Sequence, residues 1–130
     1  MMDLADYLQA EVDKASIRRV AKHIGVSKTT VENICKRKIE TMPKVKTLEK
    51  IAAAYGLTLP VVIEMAGAML GDGDKFIDAA HELEQSPWIE RRLTELTSLS
   101  EAEFNYWMDW IAWRRRHPAP PDESPDPPIQ

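Results

Sequence analysis

At 130 residues the chain has room for one compact domain, or a small domain with a helical accessory unit, and too little for two large domains. Its single cysteine, Cys35, excludes an intramolecular disulfide, and no apolar run is long enough to cross a bilayer, so a soluble protein of a reducing compartment with no membrane partner is expected. The net charge of −4 hides an uneven distribution: −3 over residues 1–15, +7 over 16–50 and −8 over 51–130, which leaves one strongly basic block between acidic flanks.

Leu4, Tyr7, Leu8 and Val12 recur at helical spacing and predict an amphipathic helix over residues 3–14. Ser16 caps a second helix whose buried stripe is Ile17, Val20, Ala21 and Ile24, and Gly25 stops it. Ser27 caps a third, with Val31 and Ile34 inward, Thr30 and Cys35 at the edges, and Lys28, Thr29, Glu32, Asn33, Lys36 and Arg37 outward. A polar connection leads to a fourth helix over 44–55, ended by Gly56, and to a fifth that starts beside Pro60. No alternation of strand type is sustained, so the fold class is all-α.

The "GDGD" at 71–74 is the best internal boundary. Three more helices are expected at 75–85, 87–96 and 101–115, the last with a capping box from Ser100 and Glu103. Residues 117–130 are too rich in proline and acid to bury anything and read as a disordered tail. The predicted organisation is therefore a domain at 1–70, a helical oligomerisation or interaction region at 71–116, and the tail.

Ala21, Gly25, Val31 and Ile34 have the spacing of two helices packed across a sharp turn, a helix-turn-helix. Here "VAKHIGVSKTTVENI" followed by "PKVKTLEKIAAAYGLTL" resembles the Cro/phage-repressor (XRE) family, over roughly residues 3–68. The resemblance implies a five-helix, lambda-repressor-like domain that binds double-stranded operator DNA as a homodimer, in the cytoplasm and at the nucleoid. Carried over position by position, it places base reading at Lys28, Thr29 and Asn33, with Glu32 among them. Lysine donates to guanine, threonine meets a thymine methyl, asparagine pairs with adenine, and glutamate accepts from cytosine or pairs with Lys28 or Lys36. Phosphate contacts fall on Ser16, Arg18, Ser27, Lys36, Arg37, Lys38 and Lys44. The chain departs from the family pattern in three places. It has Ile17 where many members have Gln, it has Cys35–Lys36–Arg37 where they often have Glu–x–Gly, and its connection to Pro43 is two residues longer.

Beyond the boundary, Phe104, Trp107, Met108 and Ile111 form one stripe, widened by Tyr106, Trp110 and Trp113. Two readings stand side by side: a self-contained core with Trp88, Leu93 and Leu96, or a homodimer or partner interface carried by Phe104, Tyr106, Trp107, Trp110, Ile111 and Trp113. Arg114–Arg116 are expected to oppose the helix dipole.

Cys35, His23, His81 and His117 have no metal-ligand spacing, so no metal and no cofactor is expected. No phosphate loop, nucleophile motif or constrained carboxylate pair supports an enzyme. The functional expectation is a dimeric repressor of prophage or mobile-element type. Its rivals are an antitoxin whose C-terminal region masks a toxin, and a protein-interaction module without specific DNA binding. A toxin or an antirepressor protein is the further partner these readings admit.

Overall fold

The computed structural model describes residues 2–71, 73–96 and 99–117. Among them are eight α-helices and no strand: α1 (Leu4–Lys14), α2 (Ile17–Ile24), α3 (Lys28–Cys35), α4 (Val45–Tyr55), α5 (Leu59–Leu70), α6 (Gly73–Gln85), α7 (Pro87–Glu95) and α8 (Glu101–Arg116). All of the expected tail but His117 lies outside the described residues, as does Asp72 of the "GDGD" boundary.

Side-chain caps explain most of the helix starts, with Ser16, Ser27 and Ser100 as predicted and Asp3 and Thr58 in addition. Asp3, Ser16, Ser27 and Thr58 each accept a hydrogen bond from the backbone N–H three residues on, closing the starts of α1, α2, α3 and α5. Ser100 and Glu103 form the expected capping box at α8, with Glu103 N–H donating to Ser100 Oγ and Ser100 N–H to Glu103 Oε1, both at 3.1 Å. Gly25 ends α2 at φ 91°, a left-handed backbone that a side chain would strain.

α5 is the central helix. It packs on α1, α4 and α6, and its apolar residues are buried on most of its circumference, including Leu59, Val62, Ile63, Met65 and Ala66. Such a helix needs neighbours on both sides. α4 and α5 meet at a bend of 114°, and no single helix among the described residues is long and apolar enough to cross a membrane.

The turn at Gly71 bends the chain without interrupting the core. One cluster of buried side chains runs from Leu4 and Leu8 through Ile51 and Val62 to Phe76, Phe104 and Ile111. Helix α6 begins at Gly73, two residues before the expected start, and lies against α5 so closely that Phe76 occupies the space above Gly67.

α8 packs on α6 through the stripe Phe104, Trp107, Met108 and Ile111, at i, i+3, i+4 and i+7, all at most 5 % exposed. This corrects the interface expectation for Phe104, Trp107 and Ile111: their apolar area is already buried within the chain. Tyr106 and Trp110 are half-buried, and Trp113 is 52 % exposed. Trp88 departs from the core expectation at 42 % exposure, because the buried face of α7 runs through Ile89 and Leu93, one turn apart, and Trp88 lies about 100° off it.

The three arginines at the end of α8 reach across to α6 instead of only opposing the helix dipole. Arg116 Nη2 lies 2.8 Å from Asp78 Oδ2, Arg115 Nη1 donates to Gln85 Oε1 at 3.0 Å, and buried Arg114 sits 3.6 Å from Glu82 and over the Trp110 ring. Lys75 and Asp109 add a further pair at 2.9 Å.

Candidate nucleic-acid interface

Val20, Ala21 and Ile24 of α2 and Val31 and Ile34 of α3 are buried, so the two helices are fixed against each other and against the core. The turn between them is held by the Gly25 and Val26 N–H groups, both donating to Ala21 O, at 2.9 and 3.1 Å. Lys50 of α4 completes it by donating from Nζ to Gly25 O at 3.1 Å. Lys50 was not legible as part of the site, since the carbonyl it satisfies lies 25 residues away. A rigid two-helix unit of this kind can present the N-terminal part of its second helix to a groove.

On that second helix Lys28 and Thr29 are exposed, while Glu32 and Asn33 are half-buried. These four share α3 as expected. Glu32 takes the pairing role, with Lys28 Nζ 3.6 Å from its Oε1. Asn33 lines a cleft of about 270 Å³ between α3 and the connection to α4, together with Thr30, Lys44, Thr47 and Glu101.

The candidate phosphate contacts divide into two groups. Arg18, Lys36, Lys38 and Lys44 are exposed, and no ion pair is described for them. Ser16 and Ser27 already accept capping bonds, from Arg19 N–H at 3.2 Å and Thr30 N–H at 3.1 Å, and Ser27 Oγ also lies 2.8 Å from Thr30 Oγ1. Arg37 departs from the expectation: its Nη1 donates to Asp3 Oδ2 at 2.7 Å and its Nη2 to Asp6 Oδ1 at 3.0 Å, so its guanidinium clamps the end of α3 to the start of α1. Partial burial pushes the Asp3 carboxyl up, but the hydrogen bond from Arg37, the capping bond from Asp6 and the charge of Arg37 outweigh it and hold Asp3 below the ordinary aspartate range.

His23 and Cys35 are structural. His23 Nε2 lies 2.7 Å from Ala54 O and its ring meets Tyr55 edge-on. Burial, followed by the charge of Asp13, raises the Cys35 thiol above its ordinary value, which opposes thiolate reactivity. Among the described residues no group of three or more His, Cys, Asp or Glu could hold a metal ion.

Residues 4–62, from the start of α1 into the first turn of α5, match the helix-turn-helix family. The chain carries a helix-turn-helix domain of the Cro/phage-repressor (XRE) type. The match supports a DNA-binding regulator of that type, with the paired α2 and α3 as its helix-turn-helix. Helices α6 to α8 lie outside the matched stretch. Comparison with curated proteins and with solved structures gave no match.

Proposed function

We propose that the protein is a dimeric repressor, of prophage or mobile-element kind, that binds a palindromic operator and blocks a promoter, acting in the cytoplasm and at the nucleoid. The observation that carries this reading is the outward face of α3, where Lys28, Thr29 and Asn33 stand beside the exposed cations Lys36, Lys38 and Lys44 on a rigidly held helix pair. Base edges are read by the first set and phosphates positioned by the second. One such helix reads only a few base pairs, so two copies about 34 Å apart are needed to read a palindrome. Exposed Trp113, flanked by half-buried Trp110 and Tyr106, is the surface we assign to self-association.

Exposed Trp88 and Trp113, both outside the matched family stretch, also favour a second reading in which the C-terminal helices cover a toxin and the domain autoregulates as an antitoxin. Co-purification with an unrelated small protein encoded beside it distinguishes this from self-association.

The test is salt-dependent binding to the DNA upstream of the protein's own gene, with footprinting. A protected two-fold-symmetric site is expected. Asn33→Ala should weaken binding to that site by ~1–3 kcal/mol and leave mixed-sequence binding nearly unchanged, whereas Lys38→Ala should weaken both and flatten the salt slope by about one unit. Equal loss on every sequence for Asn33→Ala would remove it from the reading set.

A further inference from the structure

The first turn of α8 reaches the DNA-facing half of the molecule. Glu101 lines the same cleft as Asn33 and Lys44, and its Oε2 accepts from Thr41 Oγ1 at 3.2 Å, which ties the start of α8 to the basic connection between α3 and α4. Glu101 itself is exposed. A carboxylate is therefore held, across 60 residues of sequence, in one cleft with a candidate base reader, Asn33, and a candidate phosphate contact, Lys44. A duplex seated on those two residues meets the charge of Glu101, which salt screens over a length of about 8 Å at physiological strength.

From this we infer that Glu101 is an electrostatic brake on DNA binding, a negative charge that the C-terminal helices place at the rim of the reading face to lower affinity for phosphate. The inference rests on the DNA-binding reading above. Its physical basis is that binding to DNA of any sequence comes almost wholly from cations meeting phosphates, so one fixed carboxylate in that contact cancels part of the attraction. The brake belongs to the α8 side of the molecule, so whatever shifts α8 relative to the connection changes DNA affinity without touching a reading residue.

The experiment compares the full-length wild type with Glu101→Gln and Thr41→Val on a mixed-sequence DNA duplex over a salt series. Glutamine keeps an acceptor for Thr41 and removes only the charge; valine removes the donor and keeps the charge. The expected result for Glu101→Gln is an affinity about threefold to tenfold higher at low salt, with a steeper salt slope and a gain that shrinks as salt rises. Salt-sensitive binding by the wild type with no gain in Glu101→Gln overturns the brake and leaves the DNA-binding reading intact. An equal gain in both variants with an unchanged salt slope also overturns it, because the tether and not the charge then matters. No salt-sensitive binding by any of the three proteins overturns the DNA-binding reading itself.

Discussion

Arg37 sits at φ 57°, the one non-glycine residue with positive φ among those described, at the position where many family members carry glycine. The backbone after α3 thus makes the left-handed turn that glycine usually supplies, and an arginine makes it instead because its guanidinium is held by Asp3 and Asp6. Replacing Arg37 separates the two effects. Arg37→Ala loses the ion pairs and keeps the backbone strain; Arg37→Gly loses the ion pairs and relieves the strain. The glycine variant should melt a few degrees above the alanine variant at every pH. Near neutrality the alanine variant should fall below the wild type; in acid it should approach the wild type, and the glycine variant should rise above it. The sign follows from Asp3: its folded pKa is depressed, so its contribution is complete above the ordinary aspartate value, about 3.9, and is lost as pH falls through the lower folded value. Thermal melts of the three proteins from pH 7 to pH 2 check both points. A gap from the wild type that stays constant into acid would show that the Asp3 charge contributes nothing.

At the scale of elements, the contact between α5 and α6 decides how the two halves join. Glycine inside a helix ordinarily costs about 0.5–1 kcal/mol relative to alanine, so Gly67→Ala should stabilise if the site were open. It is not open: an added Cβ would overlap the Cβ of Phe76 and stand 2.8 Å from two of its ring carbons. Cβ is attached directly to the α6 backbone and cannot swing away, so the helices must move apart. Gly67→Ala is expected to destabilise by about 1–3 kcal/mol, read from urea denaturation, whereas a gain would mean that α6 is not seated on α5. Sequence patterning located both helices and missed this closeness, since a glycine in a helical run looks the same whether it faces solvent or an aromatic ring.

For the whole molecule, the shared core predicts a single cooperative transition. All four tryptophans, at 88, 107, 110 and 113, lie in α7 and α8, so their fluorescence reports the C-terminal half, while far-UV circular dichroism reports all the helices. The two unfolding curves should coincide. A tryptophan transition at lower denaturant would instead mean that α6 to α8 unfold as a separate unit. The ion pairs from the end of α8 to α6 are mostly exposed and contribute little alone, so the coincidence rests on the apolar contacts of Phe76, Phe104 and Ile111.

Local patterns alone determined the eight helices, the caps at Ser16, Ser27 and Ser100, and the helix-turn-helix, because helical period, capping and the turn at Gly25 are set within a few residues of sequence. Tertiary structure decided what lies between distant segments. It placed Arg37 on Asp3, Lys50 on Gly25, the arginines of α8 on α6, Phe76 over Gly67 and Glu101 beside Asn33. It also decided which tryptophans are covered: Trp107 is enclosed and Trp88 and Trp113 are not. Each of these depends on how helices far apart in the chain cross, and the residues of one helix carry no record of the face its neighbour will present.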